Sequence, residues 1–406
     1  MTTVPAPAEQ PGEPDPGQQL RPFGAGPPVS AFSLGTMRAL GSPAQMEAVL
    51  RAALAAGINH LETAPAYGPA ETFLGQALAA LARDNLAPPG GWRITSKLLP
   101  GSDLATAQGQ LRAILQRLGG GPLTNLAVHG LNTPQHLDWA LRGPGAELLA
   151  WAQGVGLVGQ VGFTSHGSAE LIEAALASGS FRFCSLHVHL FDQTRLALAR
   201  AALANGIGVL AISPADKGGR LYDPPPELVA DCDPFHPLEL AYRFLLDQGI
   251  STLSLGAEQP GDLAWAAAIA GPSASSKVCS QASPESAWLS PPHRAALERL
   301  ASAGRERLGT ERCGQCRACL PCPNGVPIPE LLRLRNLAVG HGMEVFASER
   351  YNLIGRAGHW WEERNAEACQ ACGACLPRCP HDLPIPALLA DTHRRLAAAP
   401  RRRLWG

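Results

Sequence analysis

The chain has 406 residues, a formal charge of −1 and 46% apolar residues. That is enough for a large core, and too little charge for a nucleic-acid or membrane-surface binder. The amino terminus, MTTVPAPAEQPGEPDPGQQ, has neither the basic nor the apolar region of a signal peptide; a cytoplasmic protein with no nucleic-acid or membrane partner is expected.

Residues 1–19, rich in Pro, Gly and Gln, read as a disordered tail. From about 20 to 270 short apolar runs alternate with segments of helical period. Strands are predicted at 32–37, 59–64, 93–98, 123–130, 160–165, 184–190, 208–213 and 251–256, and helices at 44–56, 70–83, 103–118, 134–153, 168–178, 194–205 and 237–248. Eight strands with interleaved helices predict a (β/α)8 TIM barrel. An open doubly wound sheet would call for a Gly-rich turn after its first strand, and LGTMRALGS does not match G-x-G-x-x-G. After about 271 comes a linker, a helix near 293–308 and a cysteine-rich end with a mostly helical stretch at 328–368. The expected division is a tail at 1–19, the barrel with its linker at 20–285, and a second domain at 286–406.

In a parallel barrel the chemistry sits at the carboxyl ends of the strands. Four polar residues follow three successive predicted strands: Glu62 and Tyr67, then Lys97, then His129. A tyrosine can protonate a carbonyl oxygen as hydride reaches the carbon, but its free pKa of about 10 is high for that task. A neighbouring ammonium is expected to lower it, and a carboxylate keeps that ammonium charged when buried. Only three of the 33 basic residues are lysines, so Lys97 is not a generic surface cation here. His129 could hold the same carbonyl oxygen in line.

These residues lie in GINHLETAPAYGPAETFLG (57–75), which resembles the aldo/keto reductase signature. The resemblance continues through SK (96–97), VH (128–129), VGFTSHG (161–167) and SPADKGGRL (213–221). It implies a TIM barrel that binds NADPH or NADH and reduces a small-molecule carbonyl, with Tyr67 as acid, Lys97 and Glu62 as its tuning pair and His129 as the orienting donor. The family usually has Asp where Glu62 stands. By the same resemblance Ser165 and His166 hold the nicotinamide carboxamide, Ser213 and Lys217 the pyrophosphate, and the segment with Gly256 and Glu258 the adenosine end. That segment contains no cation for a 2′-phosphate, which leaves NADH and NADPH both open.

Eight of the eleven cysteines form two runs, 313/316/319/322 and 369/372/375/379. CRACLPCPNGVPIPELLRL (316–334) recurs as CGACLPRCPHDLPIPALLA (372–390), an internal repeat. The second run is C-x2-C-x2-C-x3-C-P, the bacterial ferredoxin pattern for a [4Fe–4S] cluster; the first has one residue fewer before its last cysteine. Two clusters are expected, zinc or a single cluster being the alternatives. In two-cluster ferredoxins the fourth ligand comes from the other run, which assigns Cys313, Cys316, Cys319 and Cys379 to one cluster and Cys369, Cys372, Cys375 and Cys322 to the other. The helical spacer resembles α-helical ferredoxins. Cys184, Cys232 and Cys279 are expected as buried structural thiols, and the basic end RRRLWG as a solvated tail or a dock for an acidic carrier.

The sequence thus predicts an NAD(P)H-dependent carbonyl reductase with a ferredoxin-like domain for electron transfer or redox sensing, and a ferredoxin or other electron carrier as a candidate partner. The alternative is an electron-transfer or redox-sensing protein whose barrel is a binding platform. Nicotinamide moves two electrons as hydride whereas a cluster moves one, and no flavin motif is evident to convert between them.

Overall fold

A computed structural model describes residues 20–271, 288–356 and 364–398. The tail at 1–19, most of the linker with Lys277 and Cys279, and RRRLWG lie outside these residues. The eight strands are β1 (Phe32–Gly35), β2 (His60–Glu62), β3 (Arg93–Leu98), β4 (Leu123–Val128), β5 (Val158–Thr164), β6 (Phe183–Leu186), β7 (Gly208–Ala211) and β8 (Thr252–Gly256). They form a closed parallel barrel in sequence order, β8 pairing back onto β1.

Between the strands run α1 (Pro43–Ala55), α2 (Ala70–Arg83), α3 (Leu104–Arg117), α4 (Pro134–Leu141), α5 (Pro144–Gly154), α6 (Ala169–Ala177), α7 (Leu196–Ala204), α8 (Pro226–Cys232) and α9 (Pro237–Asp247), with α10 (Ala264–Ala270) after β8. Side-chain caps start several of them: Ser42, Asp103, Thr133 and Ser168 each accept a backbone N–H of the first turn. The single helix expected at 134–153 is two, because Gly143 breaks it and Pro144 opens α5 at a position where a missing N–H costs nothing. Then follow α11 (Pro291–Leu308), α12 (Ile328–His341), α13 (Glu344–Tyr351) and α14 (Ile385–Leu396).

Among the described residues the chain forms two compact units. One comprises 20–214, 242–271 and Trp288; the other comprises 289–398 together with 215–241, which lies in the chain between β7 and β8.

The barrel interior is polar at one level yet fully paired. Ser33 Oγ bonds His60 Nδ1 at 2.6 Å and Thr252 Oγ1 at 2.7 Å, and His60 Nε2 bonds Thr95 Oγ1 at 2.7 Å. Asn125 links Thr95 to Gln160. Burial, reinforced by Lys97 and Arg93, pushes His60 down to about 3, so this belt carries no charge at neutral pH. Gln160 also receives the N–H groups of Ala25 and Gly26 and donates to the Phe23 carbonyl, which seats Phe23 against His60 and Phe183. Cys184 and Cys232 are buried as expected.

Outside the strands, Glu71 on α2 is 1% exposed. It takes Ser96 Oγ at 2.6 Å and the Arg117 guanidinium at 2.6 and 2.8 Å, tying α2 to β3 and α3. Gly75, one turn on, lets α2 approach: a Cβ there would lie 2.0 Å from the Arg117 carbonyl oxygen. Helix propensity alone favours alanine at this position by about 1 kcal/mol. Overpacking costs roughly 1–3 kcal/mol and should prevail, so Gly75→Ala is expected to lower the thermal unfolding midpoint. A higher midpoint would contradict this packing.

Candidate functional site

At the mouth of the barrel β2 and β3 lie side by side, Glu62 paired in register with Thr95. Lys97 is 2% exposed and Glu62 8%. The Lys97 ammonium forms an ion pair with Glu62 Oε1, donates to the Thr63 carbonyl at 2.9 Å, and lies 2.9 Å from Tyr67 Oη. Tyr67 comes from the short 3-10 turn Pro65–Tyr67 that follows β2. Its hydroxyl is also 3.4 Å from Glu62 Oε1. His129, at the end of β4, meets the Tyr67 ring edge to face with centroids 6.0 Å apart. All four predicted residues therefore converge.

Their electrostatics correct one expectation. Burial pushes the Tyr67 phenol above its ordinary value and Glu62 pushes it the same way; Lys97 pulls down without cancelling them. Lys97 therefore does not bring Tyr67 below its free pKa, because burial and, after it, the carboxylate that holds the ammonium outweigh its pull. Burial works to lower Lys97, but Glu62 and Tyr67 outweigh it and raise the ammonium above its ordinary value. At neutral pH the site holds a protonated phenol beside a charged ammonium.

The other expected contacts are more dispersed. Ser165 is fully buried, and its hydroxyl donates to the Leu131 carbonyl at 2.6 Å while accepting the Gly167 N–H at 3.0 Å. His166 is half-buried; its Nδ1 lies 2.8 Å from His187 Nε2. His187 and His189 follow β6 with ring centroids 5.6 Å apart, and His189 Nε2 bonds the Ile212 carbonyl, so that nitrogen carries its proton. Sequence reading took LHVHL only as strand, although alternate histidines at a strand end were the visible signal. Ser213 follows β7 in the left-handed region (φ 46°). Lys217 lies in the second unit, in a turn where the N–H groups of Gly219 and Arg220 bond the Asp216 carbonyl.

Gly256 and Glu258 are exposed at the end of β8. Asp262 is spent locally, accepting the N–H groups of Glu258 and Gln259 at 2.8 and 3.2 Å. A cation does stand beside this segment: a Cβ on Gly256 would lie 3.0 Å from Arg38 Cδ. Arg38 comes from the loop after β1, too far along the chain for segment reading to find.

In the second unit Cys313, Cys316, Cys319 and Cys379 line one apolar pocket with Ile328, Leu332, Leu383 and His381. Burial pushes the Cys313 thiol up, and Cys316 and Cys379 push it further. Burial also takes Cys319 to about 11. Cys375 is raised by burial and then by Cys369, Cys322 and Cys372. Each run thus gathers three thiols, joined by one from the other run. Among the described residues no group of three or more His, Cys, Asp or Glu is placed to hold a single metal ion. Crowded thiols in an apolar pocket suit iron, which takes the thiolate form and offsets its charge.

The repeat is repeated in backbone geometry. Gln315 (φ 58°) pairs with Ala371 (φ 50°), Arg317 (φ 63°) with Gly373 (φ 74°), and Gly325 (φ 66°) with Asp382 (φ 51°). The turns close alike: Leu320 N–H to the Arg317 carbonyl and Leu376 N–H to the Gly373 carbonyl, both at 3.0 Å. Left-handed non-glycine residues cost free energy, and their recurrence at matched positions marks a constraint shared by both runs. After each turn a helix begins, α12 in one copy and α14 in the other.

Residues 31–224 match the aldo/keto reductase family and residues 312–383 match the 4Fe-4S dicluster domain. The chain joins an aldo/keto reductase domain to a 4Fe-4S dicluster domain. It is similar in fold to the aldo-keto reductase AKR11C1 from Bacillus halodurans (holo form), at 18% identity over 70% of this chain and 96% of that one, with a TM-score of 0.55. It is likewise similar to the glycerol dehydrogenase AKR11B4 from Gluconobacter oxydans, at 19% identity over 71% and 96%, with a TM-score of 0.52. No curated protein matches the chain. The aldo/keto reductase match stops at 224, although the barrel continues to β8 at Gly256. No helix among the described residues is long and apolar enough to cross a membrane.

The dicluster domain is braced by Arg335, which is 5% exposed, bonds Asp391 at 2.8 Å and also pairs with Glu311. Burial works to raise Asp391, but hydrogen bonds from Arg395, Arg335 and Arg394 outweigh it and hold the carboxyl at about 2. A depressed carboxyl gives stability that is complete above its unfolded value of about 3.9 and is lost only as pH falls toward 2. Asp391→Asn leaves Arg335 short of a partner and is expected to destabilise the domain by about 3 kcal/mol or more. The loss should be equal at pH 5.5 and 8 in denaturant unfolding; a markedly smaller loss at pH 5.5 would contradict the assignment.

Proposed function

We propose that this aldo/keto reductase-type oxidoreductase reduces a small-molecule carbonyl with NADPH or NADH, and that its dicluster domain carries two [4Fe–4S] clusters serving electron transfer or redox sensing. The observation that carries the catalytic reading is Tyr67 Oη 2.9 Å from a buried Lys97 ammonium that Glu62 keeps charged. The cofactor, when bound, supplies hydride to the carbonyl carbon. Tyr67 gives its proton to the oxygen as negative charge develops there, and Lys97 stabilises the phenolate left behind. His129, whose ring meets that of Tyr67 edge to face, would hold the carbonyl oxygen in line. Ser165, His166, Ser213, Gly256 and Glu258, with Arg38 added, lie near the strand ends of the barrel and would hold the dinucleotide.

Glu62 in place of the family's usual Asp still reaches Lys97, so the longer side chain preserves the ion pair. Tyr67→Phe is expected to lower kcat/KM for carbonyl reduction by at least about 100-fold while cofactor affinity is retained. Undiminished reduction in the variant would contradict the assignment of the acid.

A cluster, when bound, exchanges one electron. Cys313, Cys316, Cys319 and Cys379 would hold the first, and Cys369, Cys372, Cys375 and Cys322 the second. The crossed pairing separates two double variants. Cys313→Ala with Cys379→Ala removes ligands of one cluster and should leave about half of the iron, whereas Cys313→Ala with Cys322→Ala strikes both and should lose nearly all. The reverse pattern in iron analysis and electron paramagnetic resonance would overturn the crossing.

A further inference from the structure

The second cysteine run exceeds the first by one residue, reading LPRCP where the first reads LPCP, and that residue is Arg378. Its guanidinium joins the two runs. Nε donates to the Ala374 carbonyl at 3.0 Å, inside the second run, and a terminal nitrogen donates to the Pro321 carbonyl at 3.0 Å, inside the first. Pro321 directly precedes Cys322. On the other side of Cys322 the Asn324 carbonyl accepts from Arg364 at 3.2 Å, and a Cβ on Gly325 would lie 3.5 Å from Arg364 Cδ. Two arginines of the second run and its approach, Arg364 ahead of Cys369 and Arg378 directly before Cys379, thus grip the first run's last cysteine from both sides.

The sequence repeat does not call for this. The turns that follow Cys322 and Cys379 close alike, Gly325 N–H onto the Cys322 carbonyl at 3.0 Å and Asp382 N–H onto the Cys379 carbonyl at 3.3 Å. Around those turns the copies differ. With the repeat in register Leu308 takes the place of Arg364, and Arg378 has no counterpart. On the Cys379 side the contact is made instead by His381, the counterpart of Asn324. It lines the first pocket and packs on Gly314, where a Cβ would lie 2.7 Å from its Nε2. A guanidinium suits the Cys322 side because its rigid fork of donors reaches two carbonyls at once, which a lysine ammonium does less well.

We infer that Arg378 and Arg364 are positioning residues for Cys322, holding it at the second run as the fourth ligand of the second cluster. The inference rests on the crossed cysteine assignment above and deepens it: the extra residue of the second run is the device that fastens the crossing. Each arginine acts through the backbone beside Cys322, as the outer partners of metal ligands fix the orientation of those ligands.

The test uses the full chain with both clusters reconstituted anaerobically. Iron release to a chelator is followed together with electron paramagnetic resonance of the dithionite-reduced protein, which shows how many clusters remain. Arg378→Ala should speed the release of one cluster's iron by roughly ten-fold or more and leave the other at its original rate. Arg364→Ala should act in the same direction, and Arg378→Lys should keep part of the retention. In a Cys322→Ala background, adding Arg378→Ala should change nothing further, because the clamp works only through that cysteine. Unchanged release in both single alanine variants overturns the positioning role and leaves the crossing intact. Equal acceleration of both clusters overturns it too, since the domain would then have loosened as a whole. Two further backgrounds separate this inference from the crossing itself. Cys313→Ala with Cys316→Ala leaves only the second run's cluster, and there Arg378→Ala should still speed release. Cys369→Ala with Cys372→Ala leaves only the first run's cluster, and there it should not. Acceleration confined to the latter protein would place Cys322 with its own run, so that the crossed assignment fails and this inference with it.

Discussion

Burying the Lys97 ammonium at the barrel mouth is the constraint around which the site is built. An ion of this kind loses several kcal/mol of hydration, and only a partner held in good geometry makes its burial tolerable. Parallel pairing of β2 with β3 supplies that partner by setting Glu62 beside Lys97, and the Thr63 carbonyl takes another ammonium proton. Tyr67 then has one place to go, on the turn directly after β2, where its hydroxyl meets the remaining direction of the ammonium. The belt below, with His60 neutral, keeps competing charge out of the barrel.

The same pair explains why the direction of the Tyr67 shift was not legible in the sequence. Proximity to Lys97 could be inferred from consecutive strand ends, and it predicted a lowered pKa. What spacing could not show is the burial of the phenol, the larger cause, or that Glu62 lies 3.4 Å from the phenol as well as against the ammonium. In the proposed reaction a phenol kept protonated is fully populated as a donor, and the ammonium would contribute when the phenolate forms rather than before. The strands were legible for a simpler reason: each is a short apolar run bounded by turn residues, and the barrel buries both faces of nearly all of them. The break at Pro144 was missed because the apolar period continues across it. Arg38 beside Gly256, and His166 beside His187, join residues far apart in sequence, which only closure of the barrel brings together.

The dicluster domain was legible through its repeat, because similar sequence at a fixed offset imposes similar turns. The three matched left-handed positions show how far that similarity extends into the backbone. Its hydrophobic core, with Leu331, Leu332, Leu388 and Leu389, packs the two repeat helices α12 and α14 together, which brings Cys379 to the first run and Cys322 to the second. What the repeat could not reveal is that 215–241 packs with this domain, since nothing in that segment resembles a ferredoxin. A barrel connection and a cysteine module thereby share one hydrophobic and ionic framework, with Arg220, Glu349, Asp231 and Arg307 as its charged members.

The central claim is that reduction at Tyr67 proceeds by hydride transfer and not by single electrons drawn from the clusters. It is tested most directly by an anaerobic single turnover with deuterium at C4 of the reduced nicotinamide, a carbonyl substrate and cluster absorbance followed together. The account predicts deuterium on the carbinol carbon of the alcohol and no change in the cluster spectrum. Alcohol that forms without deuterium while the clusters are oxidised would contradict it.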